Sequence, residues 1–168
     1  MPVVDPESQR LVDDAIRWVH NQKASDPDKP FFLYFADPTL HAPHHAPPDW
    51  IARFKGKFDQ GWDELRKQSH QRQLKAGIIP RGTDLSARPD QIPAWDSLSP
   101  EDKAYQARLM EVAAAELAWE DDQLGRLFDE LGRMGLRDNT LVVFIEGDNG
   151  ASGEGAATGT TNEFASII

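Results

Sequence analysis

Two uninterrupted apolar runs constrain this chain more than any other feature. Phe31-Phe32-Leu33-Tyr34-Phe35-Ala36 holds no charged or amide side chain, and neither does Leu141-Val142-Val143-Phe144-Ile145. Neither run alternates. A strand with one wet face repeats with a period of two, whereas a strand covered on both faces reads as an unbroken apolar string. The two runs therefore predict strands inside a mostly parallel sheet. Helical periodicity precedes each of them. Leu11, Ala15, Ile16, Trp18 and Val19 predict a helix from Pro6 to about Gln22, with Asp5 and Glu7 at its electropositive start. Ser99-Pro100-Glu101-Asp102 is a strong helix start, with Ser as the N-cap, Pro in the first turn and two acids after it. The long helix that follows runs to about Leu131 or Met134. Tyr105, Leu109, Val112, Ala113, Leu117, Leu124, Leu127, Phe128 and Leu131 are its expected apolar face. Helices flanking fully buried strands predict an α/β fold.

Between the two helix–strand pairs the chain changes character. Prolines occur at 43, 47, 48, 80, 89, 93 and 100, with Trp50, Phe54, Phe58, Trp62 and Trp95 among them. The expectation is one domain, 1–168, with an irregular insertion over about 44–100. Short helices are predicted from Asp49 to Phe54 and from Trp62 to Gly77, the glycine acting as the stop. The tryptophans read as packing anchors.

Composition removes several function classes. With 39% hydrophobic and 27% charged residues the chain has a globular composition. Eighteen Lys and Arg face 28 Asp and Glu, a net charge of −10, which argues against a phosphate-backbone binder. No apolar run approaches the ~20 residues of a membrane span. The first twenty residues lack the basic start and apolar block of a secretory signal, and the compartment stays open. There is no cysteine, so no disulfide, thiolate metal site or cysteine nucleophile.

Chemistry-bearing residues gather directly after each apolar run, where α/β sheets collect ligands. After the first run comes Leu40-His41-Ala42-Pro43-His44-His45. His41 can donate a proton or bind an anionic oxygen, or it can be a loop histidine with a structural hydrogen bond. His44 and His45 are a poor metal pair, because adjacent side chains diverge. After the second run comes Gly147-Asp148-Asn149-Gly150. A carboxylate beside an amide oxygen suits a hard cation such as Ca²⁺, which takes roughly six to eight oxygens, so two ligands need company. An ordinary Asp-Asn-Gly turn is the other reading.

These pieces stand in a familiar order. Lys29-Pro30-Phe31-Phe32-Leu33-Tyr34, then His41-Ala42-Pro43 and Ala46-Pro47, resemble the central block of the sulfatase family. Trp50-Ile51 and Phe54 to Trp62 continue the likeness, as do Ile92 to Leu98 and Leu124 to Leu127. Asp138-Asn139-Thr140 and Gly147 to Ala151 close it. The chain resembles the arylsulfatases in particular. The resemblance implies a partial alkaline-phosphatase-like fold and a hydrolase acting on sulfuric esters. It implies that His41 contacts the sulfate group and that Asp148 and Asn149 are two Ca²⁺ ligands. It also implies a formylglycine nucleophile made from Cys or Ser in Cys/Ser-x-Pro-x-Arg.

That motif is missing here. The nearest string, Ser25-Asp26-Pro27-Asp28-Lys29, has Lys for Arg and precedes the wrong strand. The family's paired N-terminal acids and catalytic lysines are missing too. The chain reads as the middle of a sulfatase, not expected to turn over substrate alone. The alternative is a non-catalytic sulfatase-like binding or interaction module.

Overall fold

A computed structural model describes residues 7–145 together with Gly153 and Thr160. Four α-helices carry it: α1 (Glu7–Ser25), α2 (Pro48–Ala52), α3 (Gly61–Ala76) and α4 (Pro100–Arg133). Single 3₁₀ turns occupy Trp95–Ser97 and Arg137–Asn139.

The helix boundaries follow from local chemistry. Ser99 Oγ accepts the Asp102 N–H at 3.1 Å, satisfying one of the donors that the start of α4 leaves open. The helices α3 and α4 end in the same way. Gly77 and Gly135 take the left-handed conformation at φ +73° and +70°. At the end of α3, the Ile78 N–H reaches the Gln73 carbonyl and Gly77 N–H the Leu74 carbonyl. At the end of α4, Leu136 N–H reaches Leu131 and Gly135 N–H reaches Gly132. This double return is the Schellman stop, which favours glycine.

The helix α4 is the spine, and α1 and α2 pack along it. Val12, Ala15 and Leu127 form the buried centre, with Ile16, Leu33 and Phe35 against it. Arg126 bonds Asp13 and His20 bonds Glu130 across the α1–α4 seam. Trp50 meets Trp119 edge-on at 5.2 Å, which docks α2. The Gly56 N–H donates to Glu111 Oε1 at 2.7 Å; this bond, and then Arg108, hold the Glu111 carboxyl below its ordinary range.

The expected α/β architecture, a mostly parallel sheet with flanking helices, is not what the described residues form. No strand occurs among them. The two apolar runs are extended but unpaired. Phe31, Leu33 and Phe35 face the helices, while Phe32 and Tyr34 are 84% and 80% exposed. The second run is bare throughout, from Leu141 at 88% to Ile145 at 86%. An apolar string records what a segment must bury, but a strand exists only through hydrogen bonds to a neighbour. The two runs do not supply each other with those bonds.

Such surface has a consequence. Exposed apolar backbone with free edges templates pairing between chains. The protein is expected to self-associate with rising concentration, and Val143→Lys to shift its elution toward monomer on size-exclusion chromatography. Identical elution of the variant and the unaltered chain refutes this role for the second run.

The expected face of α4 also needs correction. Leu127, Leu131 and Ala113 are buried as anticipated, but Tyr105 and Leu117 are exposed. Glu111, Glu116 and Gln123 are buried in their place.

Candidate functional site

The loop from Asp37 to Pro47 leaves the first apolar run and crosses the middle of α4. Its first turn is an Asx turn: Asp37 Oδ1 accepts the Thr39 N–H at 2.8 Å and the Thr39 hydroxyl as well. Ser8 Oγ, from the first turn of α1, adds contacts of 3.3 Å to both Asp37 and Thr39. The His41 N–H closes a turn onto the Pro38 carbonyl at 2.9 Å. Leu40 between them has φ +70°, a left-handed conformation that costs a branched residue roughly 1–2 kcal/mol. Strain of this kind persists only where the surroundings impose it, and it concentrates at ligand sites. The loop thus sets His41 on its surface, with an exposed residue position. Ala42, just after it, is buried and joined to Pro43 by a cis peptide bond.

Beneath the loop lies a group of carboxyls that the sequence did not single out. Glu116 and Glu120 stand one turn apart on α4. Glu116 Oε2 lies 2.9 Å from His44 Nδ1. Glu120 faces Thr39 and Asp37. Burial lifts the Glu120 carboxyl to about 7, with the charges of Asp37, Glu116 and Asp121 adding to the rise. The Thr39 hydroxyl pulls the other way. Asp37 Oδ2 is buried and finds no hydrogen-bond partner among the described residues. The sequence carries no signal that brings these helix glutamates to this loop, because their partners lie 72 or more residues away in the chain.

The other candidate residues divide cleanly. His45 Nδ1 meets its own loop's Pro43 carbonyl at 2.9 Å, and His44 Nδ1 is engaged with Glu116. Asp148 and Asn149 lie outside the described residues. Among the described residues no group of three or more His, Asp or Glu could hold a metal ion. No helix there is long and apolar enough to cross a membrane.

Comparison with known proteins decides the family. The sequence model of the sulfatase family matches residues 3–165. The chain belongs to the sulfatase family. This sulfatase segment is 39% identical over 130 residues to an arylsulfatase of Klebsiella aerogenes, covering 77% of the chain and 28% of that relative. It is 36% identical over 141 residues to an uncharacterized sulfatase of Schizosaccharomyces pombe, covering 83% of the chain and 25% of the relative. It therefore spans about a quarter of the length of these curated relatives.

Proposed function

We propose that the chain serves hydrolysis of sulfuric esters, with His41 contacting the sulfate group. The observation that carries this reading is the loop itself. An imidazole on a loop strained at Leu40 stands in a His-x-Pro sequence, inside a sulfatase match that covers nearly every residue. Imidazole suits the task, since it can offset charge on sulfuryl oxygens or hand over a proton. Asp148 and Asn149 are proposed as two oxygen ligands of a Ca²⁺ ion. Their donor chemistry fits a hard cation. When bound, such an ion polarises a sulfuryl oxygen as a Lewis acid. The described residues add no further ligand set. The nucleophile has no counterpart among these 168 residues, which contain no cysteine.

The reading is tested by titrating inorganic sulfate into the ¹⁵N-labelled chain, with and without Ca²⁺, and following the histidine rings by NMR. The His41 signals should move, and His41→Ala should abolish the saturable response. Ca²⁺ should strengthen sulfate binding, and Asp148→Ala should remove that increment. Aryl sulfate turnover by this chain alone is expected to be nil. A sulfate response confined to other histidines refutes the assignment of His41, and sustained turnover refutes the account of the nucleophile.

A further inference from the structure

The loop that carries His41 is fastened on both sides of it, and both fastenings reach α4. On one side, Thr39 is bonded to Asp37 and faces Glu120. On the other, His44 Nδ1 lies 2.9 Å from Glu116 Oε2. Glu116 Oε2 accepts when the ring carries its proton on Nδ1, the tautomer that a tether through this ring requires. Glu116 is only 7% exposed. A carboxylate buried on a packed helix face is costly, and replacing a buried pair of this kind as a whole by apolar residues is often neutral for stability. Stability alone thus gives no reason for Glu116 to stand opposite a histidine three residues after His41.

Building on the reading of His41 as the sulfate contact, we propose that Glu116 is a positioning residue, which through His44 holds the 41–45 turn in the geometry that presents His41. The pair works as an orienting tether. The carboxylate fixes the ring of His44, the ring fixes its own backbone, and His41 lies across the intervening Ala42-Pro43 bond. Glu120 acts on the other flank through Thr39, so removing Glu116 frees one side of the loop only.

The test uses the 168-residue chain labelled with ¹⁵N. Long-range ¹H–¹⁵N spectra should show His44 protonated at Nδ1, and Glu116→Leu should abolish that signature. In Glu116→Leu the order parameter of the His41 amide should fall from about 0.85 to below about 0.6, with helicity by circular dichroism unchanged. Glu116→Gln keeps an oxygen that accepts from Nδ1, and it should restore both the signature and the order. His44→Phe should reproduce Glu116→Leu, and the double variant should lose no more than either single one. Loss of preorganisation should weaken inorganic sulfate binding at His41 roughly tenfold in Glu116→Leu and not in Glu116→Gln. Should Glu116→Leu lose helicity, His44→Phe leaves α4 untouched and carries the same comparison. Unchanged order at His41 in His44→Phe, or additive losses in the double variant, overturns the tether. Absence of any sulfate response in the unaltered chain overturns the reading of His41 instead, while the order parameters still judge the tether.

Discussion

Gly61→Ala is expected to destabilise the protein by about 2–4 kcal/mol, the largest effect of any Gly→Ala change among the described residues. Two independent costs meet at this position. Gly61 opens α3 at φ +74°, where a side chain costs about 1 kcal/mol or more. A Cβ there would also stand 2.0 Å from Cδ2 and 2.2 Å from Cγ of Trp95, inside the indole. The ring has little room to retreat. Trp95 is buried and meets Trp62 edge-on at 4.8 Å. Its backbone N–H donates to Asp63 Oδ2 at 2.9 Å, and Asp63 is held in turn by Arg88 at 3.0 Å. The Trp95 N–H, and then the Arg88 guanidinium, keep the Asp63 carboxyl below its ordinary range. Overpacking a site fixed this firmly costs about 1–3 kcal/mol beyond the backbone penalty. Gly77→Ala separates the two costs. Its φ is +73°, yet nothing lies within 4 Å of its added Cβ, so only the backbone penalty of about 1 kcal/mol remains. Urea unfolding followed by the helical circular dichroism signal measures both. Equal losses in the two variants contradict the docking of α3 on Trp95.

That comparison also marks where the sequence is readable. Gly77 announces a helix end because a left-handed C-terminal turn is a local requirement, satisfied within a single turn of chain, and Gly135 meets the same requirement after α4. Ser99 announces the start of α4 for the same reason. Trp50, Trp62 and Trp95 read correctly as anchors because an indole rarely has another use for its area. The sheet was the failure. Phe31 to Ala36 and Leu141 to Ile145 state how apolar a segment is, and strand formation is a property of pairs. The buried face of α4 failed for a related reason. Glu111, Glu116 and Gln123 are buried because of partners distant in sequence or locally folded back: Gly56, His44 and the Asp122–Arg126 pair. Periodicity on one helix carries no sign of a loop 55 or 72 residues away. At the candidate site, the loop placement of His41 was legible because Pro43 and the preceding apolar run mark its loop. Its supporting layer, Asp37, Glu116 and Glu120, became visible only in three dimensions.

The same layer makes stability fall as pH rises. Glu120 has its carboxyl raised from an ordinary 4.5 to about 7, first by burial and then by Asp37, Glu116 and Asp121. Between those two values the folded chain keeps a proton that the unfolded chain releases. Linkage then requires the free energy of unfolding to decrease with pH across that window. The contribution is complete below about 4.5 and gone above about 7. A displacement of this size is worth up to about 3 kcal/mol at full burial, and solvent screening at a half-buried group cuts it to about 1–2 kcal/mol. Burial and the neighbouring like charges keep the proton, and donors nearby are few. Thr39 has one hydroxyl proton for both Asp37 Oδ1 and Glu120, and Asp37 Oδ2 has no hydrogen-bond partner among the described residues. Two ionised carboxylates here are short of donors, and a protonated Glu120 adds one. Glu120→Gln supplies an amide donor at every pH. It should therefore stabilise the protein by about 1–2 kcal/mol at about pH 8, change little at about pH 5, and flatten the dependence between them. Urea midpoints of both chains, taken in small steps from about pH 4.5 to about pH 8, measure the difference. Parallel pH profiles for the two chains place the titrating group elsewhere and remove Glu120 from the support of the His41 loop.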